Sequence, residues 1–357
     1  RDAGEARDAG EARDAGETAD AGGGPDGGRG IDAGACAGTL ERRFVDADGD
    51  GLTTGPVDVC VEGPLHPRYV ETSEGADCDD RDGRLVRAVA AFDDEDGDGV
   101  GDGPEVTVCV NEHGDLPPRH AAEDGDCDDA EPGARPDRRE IPGDGIDNDC
   151  EGGDADLADL ASVVYVDDDW DGPRNGTAEE PFRTLEEAAR AASDGALIAL
   201  ASGTTYFVPA GTSLFDGRQL TVVGGFDPEA GWMRNGTPAD TEIGGDSEAV
   251  GLEVRDGTLT LANLTVSGPP FLDAPFVATL RGLRSHLVLL DVTVIAPQVV
   301  RSEGAVTTRG IATQNGSLDL VRTTVESRSV DLQEGLGRVD GAAIDTQDTA
   351  VRVVDRS

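Results

Sequence analysis

Three stretches in the C-terminal half of the chain repeat one pattern of apolar and polar positions. They read LTLANLTV at 259–266, LVLLDVTV at 287–294 and LDLVRTTV at 318–325. In each copy the first, third and last residues are aliphatic, and this alternation places one set of side chains on a buried face. A fixed pattern recurring at steps of 28 and 31 residues predicts the stacked coils of a solenoid. The alternative is a β-sandwich whose strands resemble one another.

A fourth copy, VRVVD, begins at Val351, and the chain stops at Ser357. Because a solenoid cut inside a repeat implies further repeats, we expect the natural protein to continue. The predicted solenoid spans residues 158–357 and is incomplete. Upstream of the repeats, TLEEAARAASDG predicts a helix, with Thr184 as N-cap, Glu187 completing a capping box and Gly195 supplying the stop.

The N-terminal 35 residues show neither the alternation of a strand nor the apolar spacing of a helix. Residues 1–18 repeat the six residues Arg, Asp, Ala, Gly, Glu and Ala, and a Gly-rich run follows. There is no apolar face whose burial could offset the entropy of ordering the chain. Residues 1–35 are therefore predicted to be a disordered low-complexity spacer.

The formal net charge is −45, and it is concentrated in one part of the chain. Residues 44–156 hold 34 acidic residues and 8 arginines. Such acidity argues against nucleic acid and anionic membranes as partners, since both require basic patches. Salt adaptation would spread the charge evenly, whereas its concentration favours local cation sites. No run of 18 or more apolar residues is present, so no membrane span is expected in this segment.

The acidic block, residues 36–157, contains an internal duplication. FVDADGDGLTTG at Phe44 is followed by FDDEDGDGVGDG at Phe92, and ADCDD around Cys78 by GDCDD around Cys127. Carboxylates at alternate positions followed by Gly can wrap around a hard cation, and an all-oxygen ligand set favours Ca²⁺. We therefore predict two tandem metal-binding repeats, with an ion-free acidic turn as the alternative for each loop.

The predicted ligands come from three places in this block. The second loop fits the twelve-residue pattern D-x-D-x-D-G-x5-E with Glu105 in the last position, whereas the first has Val57 there and needs a ligand from elsewhere. GDGIDNDCEG at 143–152 supplies a third acidic group. This group could form a third site or complete the second, and a plain turn is an equally good interpretation. The complete predicted set is Asp46, Asp48, Asp50, Asp79, Asp80, Asp94, Asp96, Asp98, Glu105, Asp128, Asp129, Asp144, Asp147 and Asp149.

All six cysteines lie in or beside the acidic block, at positions 36, 60, 78, 109, 127 and 150. An even number of cysteines without close CxxC pairs, in a small acidic region with little core, predicts disulfides and a location outside the cytoplasm. The duplication suggests Cys60–Cys78 and Cys109–Cys127, which leaves Cys36 with Cys150. Fifteen pairings are possible, so this connectivity is a hypothesis.

Two families share these motifs. DADGDG…C…ADCDD and DEDGDG…C…GDCDD…PGARPD…DGIDNDCEG resemble the MopE-type metal-binding repeats of bacterial secreted surface proteins. YVDDDWDGPRNGTAEEPFRTLEEAARAASDGALIALASGTTY resembles the entry segment of right-handed parallel β-helix, pectin-lyase-like domains. The repeat family usually has a Cys shortly before DGIDNDC, where this chain reads REIPG, which is why Cys36 is assigned to Cys150.

The resemblances imply a mainly β protein: a spacer, small disulfide- and calcium-stabilised loop-rich repeats, and a right-handed parallel β-helix. The family name also brings Cu²⁺ into consideration, for which His66, His113 and His120 are the available ligands. Calcium is the preferred cofactor because the acidic loops offer oxygen ligands, whereas copper prefers His, Met or thiolate and such histidines are more often surface residues.

We expect a secreted or surface-displayed structural or adhesive protein of a bacterium, whose metal repeats form a rigid stalk for a β-helix contact domain. The expected partner is an extracellular polysaccharide or another cell-surface component. A polysaccharide lyase or hydrolase is the alternative, but no paired carboxylates face one groove. Asn263, Asp291, Arg322 and Asp355 share one column of the repeat, and this column is predicted to be a ladder of turns.

Overall fold

A computed structural model describes residues 36–209, 214–245, 250–268, 276–297, 306–326 and 339–354. The predicted spacer over 1–35 and the column residue Asp355 lie outside these ranges. The protein is mainly β, as predicted. Contacts divide it into two compact units, one from Arg1–Val89 with Thr107–Pro117 and one from Ala90–Val106 with Pro118–Ser357. The predicted limits of 36–157 and 158–357 stay a prediction.

Each acidic loop connects two consecutive strands. The first copy contributes β1 (Thr39–Val45), β2 (Pro56–Val61) and β3 (Tyr69–Val70), in the order β2-β1-β3. The second contributes β4 (Arg87–Asp93), β5 (Val100–Val110), β6 (His120–Ala121) and β7 (Glu123–Asp124), in the order β6-β4-β5-β7. The loops therefore start at the end of one strand and finish at the beginning of the next.

Three disulfides are present, but the proposed connectivity is wrong. The bridges join Cys36 to Cys60, Cys78 to Cys109 and Cys127 to Cys150, with Cα–Cα distances of 5.6, 5.7 and 5.6 Å. In the first hairpin Thr39 lies opposite Val61, and this register brings the start of β1 to Cys60. Each bridge therefore joins two cysteines that are consecutive in the sequence. The predicted pairs Cys60–Cys78, Cys109–Cys127 and Cys36–Cys150 are not formed.

Parallel strands make up most of the second unit. In chain order they and their neighbours are β8 (Val163–Val166), β9 (Leu197–Ala201), β10 (Thr204–Val208), β11 (Gln219–Asp227), β12 (Met233–Arg234), β13 (Thr241–Gly245), β14 (Val250–Arg255), β15 (Thr258–Ser267), β16 (Phe276–Leu283), β17 (His286–Ile295), β18 (Val306–Gln314), β19 (Ser317–Val321), β20 (Thr324–Glu326), β21 (Val339–Gln347) and β22 (Ala350–Val354). One sheet has the order β22-β19-β17-β15-β11-β9-β8 and another β14-β16-β18-β21. From β14 onward the chain alternates between these two sheets, except that β19 and β20 both belong to the first.

The repeated pattern is aligned as predicted. Leu259 pairs with Leu287, Leu287 with Leu318, and Leu318 with Val351 in successive parallel strands. The three leucines are fully buried in the main apolar core. Strands β9 and β11 extend the same sheet upstream with sequences that do not follow the full eight-residue pattern.

The predicted ladder of turns is present where the structure describes it. Asn263, Asp291 and Arg322 have φ angles of 51, 52 and 46°. Arg322 donates to both carboxylate oxygens of Asp291 at 2.8 and 2.7 Å. The column therefore contains backbone turns and an ion pair between two successive repeats.

The predicted helix runs over Leu185–Ala191 (α1). Its N-cap is Thr184, whose hydroxyl accepts a hydrogen bond from the backbone N–H of Glu187 at 3.1 Å, as predicted. The helix ends before Gly195, with Ala192 as C-cap. Two short 3₁₀ helices lie at Leu157–Asp159 and Pro238–Asp240. None of the described helices is long and apolar enough to cross a membrane.

The segment that follows the second acidic loop packs against the outer side of the longest parallel sheet. Ile141 and Leu157 join an apolar cluster with Val223, Ala262 and Leu290, which point away from the main core. Within the second unit this packing fixes the acidic repeat to the parallel strands.

Candidate functional site

The first acidic loop folds around its own carboxylates. Asp46 accepts backbone N–H groups of Gly49 and Gly51 through its two oxygens, at 2.6 and 3.2 Å. Asp50 Oδ1 accepts the N–H of Leu52 at 2.7 Å. Gly49 and Gly51 have φ angles of 86 and 90°, a region that glycine enters without steric cost. The DxDGDG spacing therefore produces a tight turn with its aspartates directed inward.

A second segment of the same repeat completes the group. Asp80 Oδ1 accepts the N–H of Ala47 at 2.8 Å, which holds the ADCDD segment beside the loop. Carboxylate oxygens of Asp46, Asp48 and Asp50 lie within 4.8 Å of one another, and so do those of Asp48, Asp77 and Asp80. Asp48 belongs to both groups, so five carboxylates form one cluster.

The second loop repeats this arrangement bond for bond. Asp94 accepts the N–H groups of Gly97 and Gly99 at 2.6 and 3.1 Å. Asp98 Oδ1 accepts the N–H of Val100 at 2.9 Å. Asp129 Oδ1 accepts the N–H of Glu95 at 3.0 Å, as Asp80 does from Ala47 in the first copy. Oxygens of Asp94, Asp96 and Asp98 lie within 4.8 Å of one another.

Three carboxylate oxygens at equivalent positions lack hydrogen bonds in each copy of the repeat. They are buried and have no hydrogen-bond partner among the described residues: Oδ2 of Asp48, Asp50 and Asp77, and Oδ2 of Asp96, Asp98 and Asp126. An unsatisfied buried carboxylate oxygen is costly, and several together repel one another. In the first copy Asp48 converges with Asp50 and with Asp77, and in the second Asp126 lies close enough to Asp96 and Asp98 for their charges to repel. A divalent cation would offset this repulsion, so the residues present fit such an ion.

The second cluster is the more deeply buried. Asp98 is fully buried and Asp126 is 5% exposed. Burial, followed by repulsion from neighbouring carboxylates such as Asp98, raises the pKa of Asp96 to about 7 and that of Asp126 to about 6. Burial also raises the pKa of Asp48 and Asp77 in the first cluster, where these residues are half-exposed. Both sites therefore favour a positive partner, either protons or a cation.

Arginines connect the second loop to the parallel strands. Arg135 Nη1 donates to the backbone oxygen of Asp98 at 2.7 Å, and its Nε lies 3.9 Å from Asp98 Oδ2. Arg352 of β22 donates to the same backbone oxygen. Arg322 also pairs with Glu131 next to this repeat. Arg135 and Arg352 bond the backbone carbonyl of Asp98, so they hold the loop in place while its Oδ2 atom stays without a hydrogen bond.

Two residues of the clusters were missed by the sequence prediction. Asp77 and Asp126 precede the cysteines of ADCDD and GDCDD, whereas the prediction took the two aspartates after each cysteine. Their presence in both quoted copies was the signal that could have identified them. Asp79 and Asp128 belong to none of the groups of converging carboxylates found in the described residues. Asp129 does not either, but its bond to the N–H of Glu95 places it at the second loop.

Glu105 also lies apart from the second cluster. It is exposed on β5, because the chain leaves the loop as a strand at Val100 and does not continue around an ion. The loop is therefore closed by the GDCDD segment, where the twelve-residue pattern would have used Glu105.

The third predicted group is rearranged. Asp147 and Asp149 converge with Glu140, which was not predicted. Asp144 lies elsewhere: its Oδ2 is 3.9 Å from Arg234 Nη1 and accepts a 3.5 Å hydrogen bond from Asn148. Burial raises the pKa of Asp144 to about 6. Glu140 accepts the N–H groups of Asn148 and Ala155, so this group shapes a turn.

The histidines considered for copper have separate surroundings. His66 Nδ1 accepts the N–H of Arg68 at 3.3 Å, His113 lies 3.9 Å from Glu112, and His120 is 3.8 Å from Asp93. Within the part of the chain that is described, no group of three or more potential metal ligands includes a histidine.

No family model matches this chain, and no curated protein or solved structure matches it at a significant level. The geometry of the two acidic clusters is therefore the main support for a function.

Proposed function

We propose that each acidic loop binds one divalent cation, with Ca²⁺ preferred. One observation carries the proposal: the same three buried aspartate oxygens lack hydrogen bonds in both copies of the repeat. Carboxylates supply hard oxygen ligands, which suit Ca²⁺ better than copper or zinc. The first site would use Asp46, Asp48, Asp50, Asp77 and Asp80; the second would use Asp94, Asp96, Asp98, Asp126 and Asp129.

The cation has a structural role in this proposal. Each loop surrounds its carboxylates with backbone N–H groups, and the second is tied to the parallel strands through Asp98, Arg135 and Arg352. Bringing these acidic segments together without a counter-ion opposes folding through repulsion. Cation binding and folding of the repeats are therefore coupled.

We further propose that the parallel strands form a right-handed β-helix. Support comes from the alternation of consecutive strands between two parallel sheets and from the matched register of Leu259, Leu287 and Leu318. Right-handed connections between parallel strands are strongly preferred. This architecture and the acidic repeats together favour the resemblance to MopE-type and pectin-lyase-like proteins.

In the whole protein, the cation-stabilised repeats would support a β-helix that contacts a polysaccharide or another component at the bacterial surface. Three disulfides are compatible with such an extracellular location. Calcium binding, adhesion and surface display form one proposal, in which the repeats provide rigidity and the β-helix provides the contact surface.

The test is thermal unfolding of the oxidised full chain in EDTA, followed by titration with Ca²⁺, Mg²⁺ or Cu²⁺. A saturable rise in Tm with Ca²⁺, larger than with Mg²⁺, supports the proposal. A rise with Cu²⁺ alone would transfer attention to His66, His113 and His120. No rise with any of the three ions would reject the cation sites.

Matched variants assign the effect to residues. Asp98→Asn and Asp50→Asn each remove one unsatisfied oxygen, and both should weaken the Ca²⁺ response. Glu105→Gln and Asp58→Asn change exposed acidic residues on strands and should preserve it. Equal loss in all four variants would indicate a nonspecific charge effect.

A further inference from the structure

A cavity of about 300 Å³ lies between the segment after the second acidic loop and the outer side of the longest parallel sheet. Arg135, Arg138 and Arg139 line one side, and residues of β15, β17 and β19 line the other. Its volume is at the small end of the range for ligand sites. None of its lining residues is a proposed cation ligand, although Arg135 bonds Asp98 of the second site and Asp98 also acts on Arg138 through its charge.

The three arginines differ in how their guanidinium groups are satisfied. Arg135 bonds Asp137 at 2.5 and 2.8 Å and also donates to the carbonyl of Asp98. Arg139 donates to the Gly195 carbonyl at 2.8 Å and to Gln219 Oε1 at 3.1 Å. Two of the three cations are therefore committed to protein acceptors.

Arg138 has no such partner. Its Nε, Nη1 and Nη2 atoms are all buried, and none makes a hydrogen bond within the described ranges. Burial, together with repulsion from Arg135, lowers the pKa of Arg138. A guanidinium remains protonated in proteins, so a charged group with up to five N–H donors is held without acceptors. This is a costly arrangement unless a ligand supplies the oxygens.

The opposite wall offers neutral polar groups and one carboxylate. Thr258 pairs with His286 and Thr260 with Val288, and Val288 in turn pairs with Asp319 on the next strand. Asp319, Asp98 and Asp137 favour the charged form of Arg138 through their charges, but none of them accepts a hydrogen bond from its guanidinium group. The lining contains three arginines and two aspartates, so its formal charge is one positive unit with a neutral histidine.

We propose that this cavity binds a singly charged oxyanion, a carboxylate or a sulfate ester, through the guanidinium group of Arg138. The planar fork of arginine matches two oxygens of such a group. One negative charge neutralises the lining, whereas a phosphate dianion would leave excess negative charge beside Asp319. The hydroxyl groups of Thr258 and Thr260 provide further donors next to the anion.

The test uses arginine side-chain NMR of the ¹⁵N-labelled full chain in excess Ca²⁺, at constant ionic strength set with sodium chloride. Sodium acetate, sodium methyl sulfate and sodium phosphate are the probes. We expect a saturable shift of the Arg138 Nε–Hε signal with acetate or methyl sulfate and a weaker response to phosphate. The stronger of the first two identifies the source of the oxyanion. A linear shift with all salts would overturn the proposal, because it indicates bulk screening.

Arg138→Met should abolish the saturable anion response, including the anion-dependent rise in Tm, by at least about ten-fold in affinity. Arg190→Met, which removes an exposed helix arginine, should retain both. Arg138→Met should also raise the Tm of the anion-free protein, since it removes an unpaired buried charge. A lower Tm in the absence of anion would show that Arg138 already has a stabilising partner and would contradict the proposal.

Asp319→Asn provides a variant in which the arginine is retained. Removing this negative charge should tighten acetate binding several-fold and permit stronger phosphate binding. If Asp319 instead pairs with Arg138 in solution, the variant should destabilise the protein without improving anion binding. That result would overturn the oxyanion site.

Discussion

The two acidic loops have the same local geometry but different surroundings. In both, the first aspartate accepts two glycine N–H groups and the third accepts the N–H two residues onward. The first cluster is half-exposed, whereas Asp94, Asp98 and Asp126 of the second are 4, 0 and 5% exposed. The hydrogen bonds of the loop are therefore local, and its burial depends on the chain packed around it.

This difference changes what a cation can contribute. The carboxylates of the first site are less buried than those of the second, so leaving the first site empty costs less than leaving the second empty. In the second site burial raises the pKa of Asp96 to about 7, which shows how unfavourable the charged form is there. The second cation should consequently be the more important for stability, because it also holds the loop bonded to Arg135 and Arg352.

Removing divalent cations should give the largest effect. If Ca²⁺ is present at about 1,000 times its Kd, EDTA should lower the free energy of unfolding by about 4 kcal/mol. Hydrogen exchange should accelerate more in β5 and β22 than in β1 and β2, because the second loop is bonded to the parallel strands. Equal acceleration in both units would break the comparison between the loops.

Replacing the third aspartate of each loop should show how much each cation site contributes to stability. With Ca²⁺ present, Asp98→Asn should cost about 3 kcal/mol, corresponding to about a hundred-fold loss of affinity. Asp50→Asn should cost about 1.4 kcal/mol, corresponding to about ten-fold. Denaturant unfolding measures both, with Glu105→Gln as a control that should change stability by less than about 0.5 kcal/mol. In EDTA, Asp98→Asn should instead stabilise the protein, because burial disfavours the charged carboxylate more than Arg135 and Arg138 favour it; destabilisation there would contradict the account.

The aspartates that precede the cysteines test whether the ligands are those that the structure brings together or those that the sequence motif suggested. Asp126→Asn should weaken Ca²⁺ binding about ten-fold, a loss of about 1.4 kcal/mol, whereas Asp128→Asn should have little effect. Asp77 and Asp79 form the equivalent pair in the first repeat. Calorimetric titration of the four variants provides the comparison. A greater loss from Asp79→Asn or Asp128→Asn would favour the residues that the sequence first suggested.

The smallest expected effect is the pH dependence of the metal-free protein. The pKa of Asp96 is about 7 in the folded state and near 3.8 in the unfolded chain, so between these values the folded state binds more protons. Stability should then fall as the pH rises from 5 to 7.5, by less than the roughly 2.5 kcal/mol that the full pKa shift would give, because Asp96 is only partly buried. Unfolding in EDTA at several pH values measures this slope. Saturating Ca²⁺ should reverse or remove it, because the cation binds the ionised carboxylates.

Much of the fold was predictable because its signals are local or periodic. The mainly β class, the helix capped by Thr184 and the register of Leu259 with Leu287 followed from residue patterns. The disulfide pairing did not, since it depends on which strands pair around the cysteines. The similarity of β9 and β11 to the repeats was hidden by their different sequences.

The candidate site likewise has ligands that local spacing predicts and ligands that depend on distant parts of the chain. The inward aspartates of both DxDGDG loops were identified because their spacing forces the turn. Asp77 and Asp126 come from a distant segment that is positioned by Asp80 and Asp129 in their bonds to the loop backbone. Glu105 was chosen by analogy with a continuous twelve-residue loop, but the strand β5 carries it away. The role of Arg138 depends on packing alone, so no sequence pattern indicates it.

The most direct measurement is an anomalous difference map from a crystal of the oxidised full chain grown with Ca²⁺. The account predicts two peaks, one ligated by Oδ2 of Asp48, Asp50 and Asp77 and the other by Oδ2 of Asp96, Asp98 and Asp126, with the second at higher occupancy when Ca²⁺ is limiting. Clusters without anomalous density at saturating Ca²⁺, in which waters or Arg135 satisfy these oxygens, would contradict it.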